Sequence, residues 1–176
     1  MSQDPLYLLD VYGIVYRSYF AFLSRPLRNS SGANVSAVYG FFKFLFALFD
    51  QRKPRAFAAL FDSRGKTFRH QKFEQYKATR QKTPEDLISQ VPIVEEALKA
   101  LGLPLLRVDS YEADDLIACL ARRCEAEDRP CYIISGDKDL LQLVGGSIKA
   151  LRPHDGMTIR ELGIEDVKEE DRKSVV

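Results

Sequence analysis

The stretch LYLLD at residues 6–10 is a short apolar run that ends in an aspartate, and the pattern returns as AFAALFD at residues 56–62. Continuous apolar runs of this length are typical of strands that are buried on both faces of a sheet. The same pattern predicts a third strand over residues 103–108, a fourth over residues 131–134 and a fifth over residues 148–151.

Three segments between these runs have the pattern of helices. Residues 35–50 are apolar almost all round and contain five phenylalanines. Residues 84–101 are preceded by a threonine suited to the N-cap, start with a proline and are followed by a glycine. A third helix follows Ser110, because apolar residues recur at helical spacing over residues 113–124. Strands that alternate with helices predict an α/β fold with a central, mostly parallel sheet and helices on both faces.

The composition indicates one folded domain without a membrane span. Of the 176 residues, 45% are hydrophobic and 29% are charged, close to the globular average. The longest apolar stretch, residues 37–49, is interrupted by Gly40 and Lys43 and is shorter than the about 20 residues that cross a bilayer. We therefore expect no membrane partner.

The cysteines and the N-terminal residues favour a reducing cytoplasm as the location. Cys119, Cys124 and Cys131 are odd in number and lack C-x-x-C spacing, which argues against a disulfide framework and against a zinc site. Asp4 and Asp10 interrupt the N-terminal apolar segment, so we expect no signal peptide.

A formal net charge of only +1 hides a basic segment, which we define as residues 63–82. It contains seven basic residues and one acid, a local balance of +6, and it interleaves the cations with Phe68, Phe73 and Tyr76. Cationic side chains neutralise phosphates, and aromatic faces stack on unpaired bases. The alternative is a solvated helix whose aromatic residues pack inward, and we assign no role to His70.

Acidic residues follow the predicted strands at the points where these strands end. Asp10, Asp62 and Asp137 occupy such positions, and open α/β sheets bind ligands beyond the carboxyl ends of their strands. The start of the third helix and the turn after the fourth strand contribute four more acids. Clustered carboxylates repel one another unless a cation neutralises them, and Mg²⁺ prefers a few carboxylates together with water. The seven acids are Asp10, Asp62, Glu112, Asp114, Asp115, Asp137 and Asp139.

Each of these acids also has a structural explanation when it is taken alone. Asp109 and Glu112 can form a capping box, and Asp114 and Asp115 suit the positive end of a helix dipole. Asp137 can cap a strand-to-helix turn. We favour a metal site because the acids coincide at the strand ends, and with seven of them two ions are plausible.

Helix geometry restricts how the third group of acids can reach one site. Residues three apart are neighbours on a helix, whereas residues two apart point in different directions. Glu112 and Asp115 can therefore share a face, and Asp114 cannot join them if all three are helical. Either Glu112 or Asp114 acts indirectly, or the helix begins after Glu112.

Four segments carry a resemblance to a known family. They are LLD at residues 8–10 with YR at residues 16–17, FD at residues 61–62 with TFR at residues 67–69 and YKATR at residues 76–80, YEADD at residues 111–115, and SGDKDL at residues 135–140. They resemble the 5′ nuclease (5′-3′ exonuclease) domain of bacterial DNA polymerase I, within the flap endonuclease superfamily of PIN-like, resolvase-like folds. The resemblance implies a three-layer fold and Mg²⁺-dependent hydrolysis of DNA that carries a 5′ end or flap, in replication and repair.

The resemblance also implies roles for individual residues. Two Mg²⁺ ions, with Mn²⁺ as a substitute, would be held by the seven acids, directly or through neighbouring groups. An arch over about residues 63–90 would grip the 5′ strand of the DNA. Its implied contact residues are Arg69, Tyr76, Lys77 and Arg80.

Two departures from the family pattern limit the resemblance. Val11 stands where the family has a glycine after the first aspartate. The family also continues into a second aspartate pair and a duplex-binding helix-hairpin-helix, both beyond this sequence. We therefore expect a nuclease core over residues 1–155, a stub over residues 156–176, and poor cutting by this chain alone.

Two other functions are weighed against the nuclease. The main alternative is a catalytically impaired fragment that binds DNA or a partner without cutting. A phosphotransferase with an aspartate nucleophile is disfavoured, because Asp10 is followed by Val11 and Tyr12 and not by a second aspartate two residues on.

Overall fold

The computed structural model of the protein describes residues 3–73, 75–78, 82–154 and 158–174, with side chains described as far as residue 169. The elements in chain order are β1 (Leu6–Asp10), α1 (Val11–Ala21), α2 (Ser36–Arg52), β2 (Ala56–Leu60), α3 (Phe68–Lys72), α4 (Glu85–Ile88), α5 (Val91–Ala100), β3 (Leu105–Leu106), α6 (Ala113–Ala126), β4 (Cys131–Ile134), a 3₁₀ helix at Asp139–Leu143, β5 (Ile148–Pro153), β6 (Ile159–Leu162) and α7 (Ile164–Ser174).

The strands form one six-stranded sheet in the order β3-β2-β1-β4-β5-β6. Strands β1 to β5 run parallel, and β6 runs antiparallel beside β5. Leu8 of β1 lies opposite Ala58 of β2 on one side and Ile133 of β4 on the other. The strand order reverses between β1 and β4, and sheets of this kind bind ligands at such a switch point. The predicted α/β class with a mostly parallel sheet is confirmed.

Helices cover both faces of the sheet because successive residues of a buried strand point to opposite sides. Leu9 of β1 packs in one core cluster with Phe41 of α2 and Val94 of α5. Leu8, its neighbour in the chain, packs in a second cluster with Ile117 of α6. Full burial of such a side chain stabilises the fold by about 1.5–3 kcal/mol. The expected three-layer arrangement is therefore present.

The third predicted strand is much shorter than the apolar run over residues 103–108. Pairing with β2 is limited to Leu105 and Leu106, and β3 lies at the edge of the sheet. Pro104 has no N–H to donate, although its carbonyl oxygen accepts a hydrogen bond from the Ala59 N–H at 2.9 Å. The sheet therefore has little backbone pairing at the position where β2 approaches its end.

Two helical regions differ from the prediction. α1 begins directly after β1, where the sequence analysis predicts no helix. The helix predicted over residues 84–101 is divided into α4 and α5, with a turn at Ser89–Gln90. Pro92 explains the division, because it has no N–H to bond the carbonyl of Ile88 and its ring disfavours a continuous helix.

The sheet continues beyond residue 155, where the sequence predicts the end of the core. β6 pairs with β5, and Leu162 of β6 is fully buried. The Glu161 carboxylate forms ion pairs with Arg52 at 2.8 Å and with Lys149 at 2.6 Å. This strand lacks the continuous apolar pattern used to predict the others. It lies at the edge of the sheet, and its polar side chains pair with neighbouring elements.

Within the part of the chain that the structure describes, no helix is both long and apolar enough to cross a bilayer.

Candidate functional site

A cleft of about 780 Å³ lies beyond the carboxyl ends of β1, β2 and β4. Residues of the basic segment line it as well, among them Thr67, His70 and Lys77. The cleft thus combines the strand-end acids with cationic and polar groups from the segment between β2 and α4. The acids that line it are Asp10, Asp62, Glu112, Asp114 and Asp137.

Asp10 lies deepest in this group and is held by two hydrogen bonds. Its carboxylate accepts from the Gly13 N–H at 2.9 Å and from the Ser135 hydroxyl at 2.6 Å. A Cβ at Gly13 would lie 2.1 Å from the Asp10 Oδ2, so only glycine fits there. Burial raises the pKa of Asp10, and the charges of Asp62 and Asp137 raise it further.

Val11, the departure from the family pattern, does not line the cleft. Its side chain is fully buried in the core cluster on the α2 face of the sheet. The valine therefore does not crowd the Asp10 carboxylate, and the close approach to that carboxylate is made by Gly13.

Asp62 connects the end of β2 to the start of α6. Its Oδ1 accepts a hydrogen bond from the Ala113 N–H at 2.7 Å. This N–H is one of the unpaired donors at a helix N-terminus, where negative charge is favourable. Asp62 thereby keeps the first turn of α6, with its acids, beside the strand ends.

The helix α6 begins at Ala113, after Glu112, as the spacing of the acids allows. Glu112 has an extended backbone conformation and acts as the N-cap in a capping box with Asp115. This start lets Glu112 and Asp114 both line the cleft, whereas Asp115 is not among its lining residues. The carboxylate of Asp115 accepts from the Glu112 N–H at 3.0 Å and faces Arg69.

The basic segment supplies cations to two of the acids. Arg69 donates both ends of its guanidinium to Asp115, at 2.7 and 2.6 Å. Lys77 donates to Glu112 at 2.8 Å, and the Tyr76 hydroxyl donates to the same carboxylate at 3.1 Å. Lys77 has a left-handed backbone with φ of 59°. The segment thus folds back on the acids that follow it by about 35 to 46 residues in the chain.

Asp114 and Asp115 have opposite electrostatic environments although they are adjacent. Burial raises the pKa of Asp114 to about 7, and the charges of Asp10, Asp137 and Asp62 act in the same direction. The hydrogen bonds from Arg69 lower the pKa of Asp115. Negative charge is therefore unfavourable at Asp114 and compensated at Asp115.

Asp137 and Asp139 form the turn that follows β4. The Asp137 N–H donates to the Ser135 hydroxyl at 2.9 Å, and the Asp137 carboxylate accepts from the Asp139 N–H at 2.9 Å. Asp139 itself is exposed at the start of the 3₁₀ helix. It lines a separate depression beside Val167 and not the main cleft. Its predicted metal role stays a prediction.

The residues suit a hard divalent cation in their chemistry. Carboxylate oxygens are the ligands that Mg²⁺ and Mn²⁺ prefer. Burial, followed by the like charges of neighbouring acids, raises the pKa of Asp114, and such an ion would offset both effects. Across the described ranges, no three His, Cys, Asp or Glu side chains are grouped closely enough to hold an ion as they stand. Glu112 is paired with Lys77 in this arrangement, and the remaining like charges repel one another.

Arg80, one of the four predicted DNA contacts, lies outside the described residues. The sequence reasoning assigned no role to Ser135 or Gly13, the two residues that hold the Asp10 carboxylate. Ser135 is the first residue of the SGDKDL motif, so its position beside Asp137 was a signal in the sequence for a role at the site. Gly13 carries no comparable signal, because its close approach to Asp10 is a tertiary feature.

Comparison with known proteins relates this geometry to a family. The family model of the 5′-3′ exonuclease N-terminal resolvase-like domain matches residues 5–171. The DNA polymerase I of Treponema pallidum is 56% identical over 151 residues, which cover 86% of this chain and 15% of that protein. The 5′-3′ exonuclease of Aquifex aeolicus is 38% identical over 180 residues, covering 99% of this chain and 62% of that one.

A solved structure has the same fold at low identity. The bacteriophage T5 flap endonuclease, in a complex with DNA and metal ions, matches with a TM-score of 0.71 and 19% identity, over 96% of this chain and 61% of that one. The chain thus spans less than two thirds of these relatives. The predicted resemblance to the 5′ nuclease domain is confirmed, and the chain belongs to the 5′-3′ exonuclease family as its N-terminal resolvase-like domain.

Proposed function

We propose that this domain hydrolyses phosphodiester bonds of DNA near a 5′ end or flap, in a reaction that depends on divalent metal ions. The observation that carries the proposal is the acidic cleft at the strand ends, which is also lined by residues of the basic segment. Phosphodiester hydrolysis needs cations to neutralise the phosphate and a metal to support the reaction. Family membership and the DNA and metal ions bound by the phage relative support the same chemistry.

The acids have separate parts in this proposal. Asp10 and Asp62 are held rigidly by their hydrogen bonds, and so they would present fixed oxygen ligands. When bound, Mg²⁺ or Mn²⁺ supplies an activated water and stabilises the leaving oxygen, and the family resemblance suggests two ions. The acids proposed to hold the ions directly are Asp10, Asp62, Glu112, Asp114 and Asp137, with Asp115 and Asp139 at their edge.

The basic segment would hold the DNA. Lys77 lines the cleft and can exchange Glu112 for a phosphate, because both are oxygen anions. Tyr76 offers an aromatic ring beside it on which an unpaired base can stack. Arg69 and Arg80 complete the predicted set of DNA contacts, and Arg69 already uses both ends of its guanidinium on Asp115.

Cleavage of a 5′-labelled flap oligonucleotide tests the proposal. We expect slow but measurable product formation in Mg²⁺ or Mn²⁺, in keeping with the poor cutting expected of this chain alone, and none in EDTA. Asp137→Ala should lose at least about 100-fold, since even the partners of metal ligands are worth about 10- to 100-fold. Glu96→Ala is the matched control, because Glu96 is an exposed acid on α5 away from the cleft. Cleavage that survives EDTA or the Asp137 substitution would contradict the proposal.

A second function, DNA binding without cutting, is favoured by the ion pairs of Glu112 and Asp115 with the basic segment. These contacts occupy two acids that would otherwise face a metal. Fluorescence anisotropy with the same flap, in EDTA and in Ca²⁺, separates the two functions. Tight binding without product in Mg²⁺ or Mn²⁺ would establish the second function for this chain.

A further inference from the structure

Glu95 on α5 is a buried acid that the proposed reaction does not use. Only 8% of the residue is exposed, and its carboxylate contacts three cations. Arg107 forms a two-pronged pair with it at 2.8 and 3.2 Å, Lys99 lies at 2.8 Å and Arg64 at 3.1 Å. The hydrogen bonds from Arg107 are the main reason that the pKa of Glu95 falls to about 2.

Arg107 directs a third donor to Asp62, an acid that lines the cleft. Its Nε donates to the backbone carbonyl oxygen of Asp62 at 3.0 Å. Its guanidinium carbon lies 4.8 Å from the centre of the Phe61 ring. The planar group is thereby fixed by Glu95 on one side and by the end of β2 on the other.

The hydrogen bond between Arg107 and Asp62 lies at the end of the pairing between β2 and β3. The register of β2 with β3 ends at Leu60 and Leu106, and the last backbone bond runs from the Phe61 N–H to the Leu106 carbonyl. Asp62 follows Phe61 in the chain, and Arg107 follows Leu106. The Arg107 side chain therefore supplies a donor to Asp62 at the point where strand pairing stops.

Asp62 is consequently held from two sides. Arg107 fixes its backbone carbonyl, and the Ala113 N–H fixes its carboxylate at 2.7 Å. A shift of the backbone at Asp62 would move its carboxylate relative to Asp10 and Asp114 across the cleft. Arginine suits this task because its fork can bind a carboxylate with two donors and leave a third for a carbonyl, which lysine cannot do.

We propose that Arg107, oriented by Glu95, is a positioning residue that sets Asp62 for metal binding in the cleft. The inference rests on the proposed function, because its measurable effect is on the metal affinity of Asp62 and its neighbours. A purely structural ion pair would instead change the stability of the fold and leave the metal affinity of the folded protein unaltered.

Calorimetric titration with Mn²⁺, well below the melting temperature of each variant, tests the inference. We expect Arg107→Met, which keeps an apolar stem over Phe61, to weaken Mn²⁺ binding by roughly 10-fold, as the loss of an outer partner of a ligand does. Arg107→Lys should recover part of the loss, and Glu95→Gln should weaken binding to a smaller extent. Lys99→Ala is the control: it removes an exposed partner of Glu95 and should change the affinity less than twofold.

A double-mutant cycle separates positioning from stability. If Arg107 acts through Asp62, adding Arg107→Met to Asp62→Asn should weaken Mn²⁺ binding no further than Asp62→Asn does alone. Unchanged Mn²⁺ affinity in folded Arg107→Met, with a weakened Asp62→Asn, would overturn the positioning role and leave the proposed metal site intact. Unchanged affinity in Asp62→Asn would overturn the proposed metal site together with the positioning role.

Discussion

Asp114 and Asp115 are adjacent in sequence, but their carboxylates have opposite electrostatic environments in the structure. Asp115 is ion-paired with Arg69, whereas burial raises the pKa of Asp114 and the charges of Asp10, Asp137 and Asp62 raise it further. The same contrast divides the whole acid cluster. Among the described residues, the ion pairs of the basic segment with the acid cluster involve Glu112 and Asp115, which we call the rim acids. We call the other cleft-lining acids, Asp10, Asp62, Asp114 and Asp137, the interior acids.

This difference indicates where an external cation is needed. The protein pairs Glu112 and Asp115 with its own cations, so a metal must compete with Lys77 at Glu112 and adds least at Asp115. In the interior, the ionised form of Asp114 is disfavoured by a few kcal/mol, because its pKa is about 7 against an ordinary 3.8 and each pKa unit is worth about 1.36 kcal/mol. A divalent ion would relieve that penalty, and for this reason the interior is the stronger candidate for the metal.

The largest expected effect is on metal affinity. Asp114→Asn should weaken Mn²⁺ binding by about 30-fold, whereas Asp115→Asn should weaken it by less than about fivefold, because removing a ligand exceeds the effect of removing a neighbour. Calorimetry at pH 8 measures both. Equal losses in the two variants would mean that the rim and the interior do not differ as metal sites.

The sequence predicted the interior of the site better than its rim. Asp10, Asp62 and Asp137 could be placed together because each follows an apolar run, and parallel strands present their carboxyl ends at one edge. The pairing of Asp115 with Arg69 depends on how the basic segment folds back over 46 residues of sequence separation. No local pattern encodes that contact.

The fold was predictable for a related reason. Continuous apolar runs identify buried strands without tertiary information, and four of the five predicted strands pair at the predicted places over most of their length. α1 escaped prediction because it begins at the residue directly after β1, with no turn residues between Asp10 and the first residue of the helix. β6 escaped because its charges are paired in three dimensions, as Glu161 shows.

The second prediction concerns stability and has opposite signs for the two neighbours. In EDTA at pH 8, Asp114→Asn should raise the free energy of unfolding by about 2 kcal/mol, since it removes a carboxylate whose ionisation opposes folding. Asp115→Asn should lower it by about 1–3 kcal/mol, because it breaks a two-pronged pair with Arg69 and a helix cap.

The pH dependence follows from the direction of the Asp114 shift. Its pKa is raised in the folded protein, so below an ordinary pKa of 3.8 the residue is protonated in both states and the substitution has no electrostatic effect. The advantage of Asp114→Asn should grow between about pH 4 and pH 7 and stay constant above that. Urea unfolding at pH 4, 6 and 8 in EDTA measures this. An advantage that is absent at pH 8 would contradict the unfavourable ionisation of Asp114 in the folded protein.

The smallest expected effect tests whether a rim cation competes with the metal. The Lys77 ammonium lies 2.8 Å from the Glu112 carboxylate and lines the cleft, so it repels a divalent ion there. Lys77→Ala should tighten Mn²⁺ binding by roughly threefold, equivalent to somewhat under 1 kcal/mol of removed repulsion. The same variant should weaken DNA binding in EDTA and lower the magnitude of its salt slope by about 0.7–0.9, because one phosphate contact is lost.

Lys72→Ala is the matched control, since Lys72 is an exposed cation on α3 of the same segment. The Mn²⁺ affinity of this variant should stay within error of the wild type. If Lys77→Ala weakened the binding of both Mn²⁺ and DNA, the lysine would instead support the conformation around Glu112. The contrast between acids paired with the protein's own cations and acids available to a metal would then not hold at Glu112.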